Sequence, residues 1–289
     1  PAEFRHNRSP ETAPGLGWSP SMTIKRPITV TTLANMKARG EPIGCLTAYD
    51  YSFASILDKT GVEIILVGDS LGMVVQGHLT TLPVTVDDLV YHTQCVSRGV
   101  ETSLIIADMP FGSFQSSPQQ AFENAARLLG EGGAQMVKIE GGAFMRQTVE
   151  FLVERGIPVC GHIGLTPQSV NQLGGFKVQG RETEAAREIE NDALVLDQAG
   201  VSILILEAMP PTLADLISKK ISAPTIGIGA GPQTDGQVLV LYDLLGLYPK
   251  KSPKFSKDFL AGAGSAVNAV EHFLKAVKTR EFPGPEHCL

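Results

Sequence analysis

The chain has 289 residues, 43% hydrophobic and 19% charged, enough for one large domain or two small ones. A formal net charge of −6 and a pI near 5.6 argue against a nucleic-acid-binding protein, and no apolar run is long enough to span a membrane. Cys45, Cys95, Cys160 and Cys288 are widely spaced with no C-x-x-C pair, which speaks for reduced thiols rather than a disulfide framework or zinc site. No apolar signal region stands at the N-terminus, so the reading is a cytoplasmic protein.

Residues 1–22 are rich in Pro, Gly, Ser, Asn and charge, without periodicity, and are expected to be a disordered tail. The remainder, 23–289, reads as one domain because no linker divides it. Thr31–Arg39 is a short helix ending at Gly40. A rhythm of apolar strand, turn and amphipathic stretch follows. The expected strands are Gly44–Thr47, Ile64–Gly68, Ser103–Ala107, Met136–Ile139, Val159–Ile163, Ser202–Leu206, Thr225–Ile228 and Val238–Leu241. Helix starts are marked between them. Thr85-Val86-Asp87-Asp88 resembles a capping box, and Ser117-Pro118-Gln119-Gln120 combines a cap, a first-turn proline and a Gln three residues on. Glu182–Ala199 carries one apolar face and stops at Gly200. Eight βα units predict an α/β fold, a (β/α)8 TIM barrel, with a doubly wound open sheet as the alternative.

The strand ends share a feature. Asp69-Ser70 follows the second strand, and Asp108 follows the third in register with Leu104 and Ile106. Lys138 and Glu140 lie two apart on the fourth. His162 is in register with Cys160 on the fifth, and Glu207 with Ile203 and Ile205 on the sixth. Alternation likewise puts Asp69 on one face with Ile65 and Val67. Barrel enzymes place their chemistry at the carboxyl-terminal strand ends. Four carboxylates crowded there need compensation, and a hard divalent cation such as Mg2+ supplies it. Independent helix caps and salt bridges are the plain alternative.

Lys138 can form a Schiff base or stay charged and grip substrate oxygens, and Glu140 beside it favours the charge. His162 reads as a metal ligand, a substrate contact or a hydrogen-bonded core residue. Gly227-Ile228-Gly229-Ala230-Gly231 lacks the G-x-G-x-x-G spacing and is a tight turn or a flat ligand floor. Leu165–Gly180 suits a lid or an interface loop. Asp243, after the eighth strand, is a further site residue or a cap. Lys250, Lys251, Lys254 and Lys257 read as a solvated surface.

Several of these stretches together resemble the ketopantoate hydroxymethyltransferase family. They are Leu46-Thr47-Ala48-Tyr49-Asp50-Tyr51, Val67-Gly68-Asp69-Ser70-Leu71-Gly72, Val137-Lys138-Ile139-Glu140-Gly141-Gly142 and Gly161-His162-Ile163-Gly164-Leu165-Thr166-Pro167-Gln168. Thr80-Thr81-Leu82-Pro83-Val84-Thr85 and Gly227–Gly231 fit as well, and the likeness runs from Ile28 to His287. One departure is Tyr242, where related chains often carry His. The resemblance implies a Mg2+-dependent barrel enzyme of pantothenate and coenzyme A biosynthesis. It would transfer a one-carbon unit from 5,10-methylenetetrahydrofolate to 3-methyl-2-oxobutanoate, through an enolate, giving 2-dehydropantoate. It implies Asp69, Asp108 and Glu140 as the metal site and Ser70 and Lys138, with Asp69 and Asp108, as contacts to the keto acid. Glu207 is implied as the general base, and a homo-oligomer, commonly a decamer, as the assembly. A different metal-dependent C–C lyase or aldolase of 2-oxo acids is the rival reading, and folate dependence separates the two.

Overall fold

Eight parallel strands pair in chain order, and the eighth returns to the first to close a barrel. The structure, a computed structural model, describes residues 26–250 and 252–289, so the tail expected over 1–22 lies outside the described residues. The strands are β1 (Ile43–Thr47), β2 (Ile64–Val67), β3 (Leu104–Asp108), β4 (Met136–Glu140), β5 (Val159–Gly164), β6 (Ile203–Glu207), β7 (Thr225–Ile228) and β8 (Gly236–Leu239). The helices are α1 (Val30–Arg39), α2 (Tyr51–Thr60), α3 (Leu71–Val74), α4 (Val86–Ser97), α5 (Pro118–Gly130), α6 (Arg146–Glu154), α7 (Val170–Leu173), α8 (Thr183–Gln198), α9 (Pro211–Lys220), α10 (Leu241–Leu244) and α11 (Ala266–Lys278). Among the described residues, no helix is long and apolar enough to cross a membrane. All four cysteines are free.

Every strand is buried nearly throughout, and its side chains alternate between two cores. Ile43, Cys45, Ile64, Leu66, Leu104, Ile106, Met136, Cys160, Ile203 and Ile205 fill the barrel interior. Their neighbours Leu46, Ile65, Val67, Ile105, Ala107, Val137 and Leu204 face outward and bury the inner faces of the helices. Leu33 and Met36 of α1 join the interior cluster, so this first helix plugs the amino-terminal end of the barrel. The opposite end stays open.

Local signals set the helix boundaries. Thr29 and Thr32 form a reciprocal capping box ahead of α1, and Gly40 ends the helix in the left-handed region at φ 68°. Thr85 and Asp88 do the same ahead of α4, and Ser117 caps α5. The eighth strand ends two residues earlier than its composition predicts. Leu241 N–H donates to Thr47 Oγ1 (2.9 Å) instead of continuing the ladder, and α10 starts there.

At the barrel's amino-terminal end, Asp58 of α2 stitches down the loop before β3. Its carboxylate accepts from the N–H groups of Glu101, Thr102 and Ser103 and from both hydroxyls, at 2.7–3.2 Å. Burial would raise its pKa, and these donors outweigh that and hold it below the ordinary 3.8. Stability from a lowered carboxyl is present above the ordinary carboxylate range and is lost as pH falls through the lower, folded value. Asp58→Ala is expected to destabilise the fold by about 2–4 kcal/mol, because it strands several buried donors. Denaturant unfolding at pH 7 measures this, and the difference from wild type should shrink at acid pH.

Candidate active site

Strand parity delivers most of the polar cluster. Asp108 continues the interior row of Leu104 and Ile106, Lys138 and Glu140 that of Met136, His162 that of Cys160, and Glu207 that of Ile203 and Ile205. They line one open cavity of about 500 Å3 at the carboxyl-terminal end. Cross-strand register puts Asp108 beside Lys138 and Glu140 beside His162.

Asp69 lines the same cavity, but not by the alternation expected from Ile65 and Val67, which point outward to the helices. β2 ends at Val67, and the turn that follows brings Asp69 back inward, where its N–H donates to Asp108 Oδ2 at 2.9 Å. Gly68 permits this turn: a Cβ there would come 2.8 Å from Ser70 Oγ. Ser70 does not cap α3 with its side chain; its hydroxyl pairs with Tyr49 OH at 2.9 Å.

The contacts form a chain of charges across the cavity floor. Lys138 Nζ lies 3.0 Å from Asp108 Oδ1 and 3.7 Å from Glu140 Oε1. His162 lies between two carboxylates, Nδ1 3.5 Å from Glu140 and Nε2 3.1 Å from Glu207. Gln168 was not singled out by sequence reasoning. It is buried in the loop after β5, where its side-chain amide donates to Asp69 Oδ2 (2.9 Å) and to the Met109 carbonyl, while its backbone N–H donates to Glu140 Oε2 (2.9 Å). The only signal for it was its place in the Gly161–Gln168 motif. The segment expected as a lid or an interface loop thus carries a structural anchor of the acidic site.

Electrostatics sort these groups. Burial pushes Asp69 well above the usual carboxylate range, and the charges of Asp108 and Glu140 add to that. For Glu140 burial works the same way, but Lys138 and His162 outweigh it and leave the carboxyl lowered. Burial also opposes the charge on Lys138, yet Asp108, Glu140 and Asp69 together hold its pKa well above the lysine range. Burial opposes the imidazolium too, and the flanking Glu140 and Glu207 push His162 up to about 9. A Lys138 held toward its charged form by these carboxylates is a poor Schiff-base nucleophile and a good anchor for anionic oxygens.

Among the described residues, no three His, Cys, Asp or Glu side chains are grouped to hold a metal ion by themselves. A hard cation such as Mg2+ needs only one or two carboxylates, with water and substrate oxygens completing its shell. The donor set fits that demand. Asp69 and Asp108 are buried oxygen donors, and Asp108 Oδ1 accepts no aligned hydrogen bond. Glu140 is a buried oxygen donor too, with Oε2 held by the Gln168 N–H and Oε1 only 3.5–3.7 Å from His162 and Lys138.

With this geometry in place, residues 27–285 match the family described as ketopantoate hydroxymethyltransferase. The chain belongs to that family. Among its relatives is the 3-methyl-2-oxobutanoate hydroxymethyltransferase of Nitrosospira multiformis, 57% identical over 260 residues, covering 90% of this chain and 98% of that protein. The enzyme of the same name from Chromobacterium violaceum is 58% identical over 260 residues, with the same coverage. Solved structures of similar fold include phosphoenolpyruvate phosphomutase from Streptomyces platensis subsp. rosaceus, at TM-score 0.56 and 12% identity, covering 75% of this chain and 82% of that one. A phosphonopyruvate hydrolase in complex with oxalate and Mg++ gives TM-score 0.55 at 10% identity, covering 73% and 80%. At such identities these two show the barrel alone. The match to the ketopantoate hydroxymethyltransferase family thus spans nearly every described residue, including Asp69, Asp108, Lys138, Glu140, His162 and Glu207 of the acidic site.

Proposed function

We propose that this chain transfers a hydroxymethyl group from 5,10-methylenetetrahydrofolate to 3-methyl-2-oxobutanoate, giving 2-dehydropantoate and tetrahydrofolate in pantothenate and coenzyme A biosynthesis. One observation carries the reading. A single cavity holds a carboxylate–lysine cluster suited to a chelating keto acid and, across His162, a separate carboxylate placed as a base.

Residues 23–289 act as one catalytic domain. Asp69, Asp108 and Glu140 would form the site of a divalent cation, Mg2+ or a similar hard ion, and Glu140 also fixes Lys138 and His162. When bound, that ion supplies positive charge to the oxygens of the keto acid. The Lys138 ammonium grips the same anionic end, and Ser70, oriented by Tyr49, offers a hydrogen bond to it. Glu207 removes the C3 proton. The adjacent His162 imidazolium holds the base in place and steadies its charge. The enolate carbon bonds to the methylene carbon of the folate as that carbon's bond to N10 breaks and N10 takes up a proton; water then replaces N5 on the same carbon, which leaves the hydroxymethyl group and releases tetrahydrofolate. Homo-oligomeric assembly as a decamer in the cytoplasm completes the proposal.

Incubation of the protein with 3-methyl-2-oxobutanoate, methylenetetrahydrofolate and Mg2+ is expected to yield 2-dehydropantoate, identified by mass spectrometry, and none when folate is omitted. Turnover of another 2-oxo acid without folate would overturn the reading in favour of a lyase or aldolase.

A further inference from the structure

Among the described residues, three buried polar atoms of the cavity wall stand outside the charge cluster without a hydrogen-bond partner: Thr81 Oγ1 and, close together in the chain, Asp243 Oδ1 in α10 and the Tyr248 hydroxyl five residues on. Asp243 is 8% exposed. Burial pushes its carboxyl up to about 6, with a hydrogen bond from Ser252 working against it. An unpartnered oxygen of a buried carboxylate and an unpartnered phenol hydroxyl carry a desolvation cost that a ligand can relieve. Leu66, Ile228, Val238 and Val240 add apolar lining to the same cavity. Lys250 and Lys254 also line the cavity but are exposed, which puts them at its mouth.

This distribution describes the ligand that would fill it. It has a flat, largely apolar ring with an N–H-rich edge and a neighbouring acceptor, and an anionic tail toward solvent. A tetrahydropterin presents a 2-amino group and N3–H as adjacent donors beside a 4-oxo acceptor. Its glutamyl carboxylates lie at the far end of the molecule.

We propose that Asp243 and Tyr248 hold the pterin ring of the folate co-substrate. Asp243 accepts from the 2-amino and N3–H groups, Tyr248 donates to the 4-oxo oxygen, and the glutamyl carboxylates extend to Lys250 and Lys254. This rests on the folate-dependent reading above and assigns its second substrate to the side of the cavity formed after β8. The ring then lies in the same cavity as the keto-acid pocket, so that the one-carbon unit can meet C3 of the keto acid.

Calorimetric titration of the full chain with Mg2+ tests the assignment, using tetrahydrofolate, its triglutamate and 6-methyltetrahydropterin as probes. Asp243→Asn is expected to weaken all three by about tenfold or more, and Tyr248→Phe by a smaller factor, about threefold. The double variant Lys250→Ala/Lys254→Ala should weaken tetrahydrofolate and, more strongly, its triglutamate, while 6-methyltetrahydropterin, which has no carboxylate, binds as before. Deuterium exchange at C3 of the keto acid, which needs no folate, serves as the control for an intact fold and acid–base site. Exchange-competent Asp243→Asn and Tyr248→Phe proteins that bind tetrahydrofolate within twofold of wild type would overturn the assignment and leave the proposed function standing. Loss of 6-methyltetrahydropterin binding in the lysine variant would overturn the orientation. A wild-type protein that exchanges no C3 deuterium and needs no folate would instead remove the reading beneath it.

Discussion

Glu207→Gln is expected to lower C3–H deuterium exchange of 3-methyl-2-oxobutanoate by about 10^2–10^4-fold, the usual contribution of a positioned base. Keto-acid affinity should change little, because the groups proposed to grip the substrate are Asp69, Asp108, Lys138 and Ser70. The side chain sits at the edge of the cluster, 13% exposed, with His162 Nε2 3.1 Å away and the Lys138 ammonium paired with Asp108 and Glu140 instead. The backbone supports this placement at some cost. Ala208, the next residue, is held at φ 48° in the left-handed region, a strain of roughly 1–3 kcal/mol for a residue with a Cβ. Its N–H donates to Ile228 O and its carbonyl accepts from Gln179 N–H, so the carboxylate is aimed by neighbours on both sides. Exchange can be followed by proton NMR without folate, which isolates proton removal from carbon–carbon bond formation. Wild-type exchange in the Gln variant would take the base role away from Glu207.

Asp108→Asn is expected to abolish turnover and to weaken Mn2+ binding, read by electron paramagnetic resonance, by at least about 10–100-fold. Asp69→Asn should weaken the metal similarly. The two differ in what else they disturb. Asp108 also binds the Lys138 ammonium at 3.0 Å and the Asp69 N–H at 2.9 Å, so its loss leaves a buried cation short of a counter-charge. Asp69→Asn keeps the turn, and removing its charge relieves like-charge crowding with Asp108 and Glu140. Thermal unfolding of the metal-free proteins should therefore fall for Asp108→Asn and hold or rise for Asp69→Asn. Chelator treatment of wild type should stop turnover, and added Mg2+ should restore it. Unchanged Mn2+ affinity in both variants would move the ion elsewhere.

How much of this was legible in the chain differs from residue to residue. All eight strands could be placed, because buried parallel strands are short apolar runs closed by turn residues, and glycines and capping residues mark the helix ends. The inward set Asp108, Lys138, Glu140, His162 and Glu207 was equally readable. Each keeps the two-residue period of its own strand, which is a local property of extended backbone. Asp69 reaches the cavity by another route. Its strand stops at Val67, so the period no longer applies, and the direction of its carboxylate depends on the turn at Gly68 and on Asp108 across the barrel.

Partnerships between distant segments were decided by the tertiary structure alone. Gln168 stands 99 residues from Asp69, and nothing in its neighbours announces that its side-chain amide will hold Asp69 while its backbone N–H holds Glu140. That Glu207 faces His162 follows from the pairing of β6 against β5, and that Asp243 and Tyr248 open onto the same cavity follows only when β8 closes against β1. Local spacing determines which way a side chain leaves its strand, because the backbone repeat fixes it within a few residues. Closure of the barrel determines what that side chain meets, because desolvation and charge pairing act through space rather than along the chain.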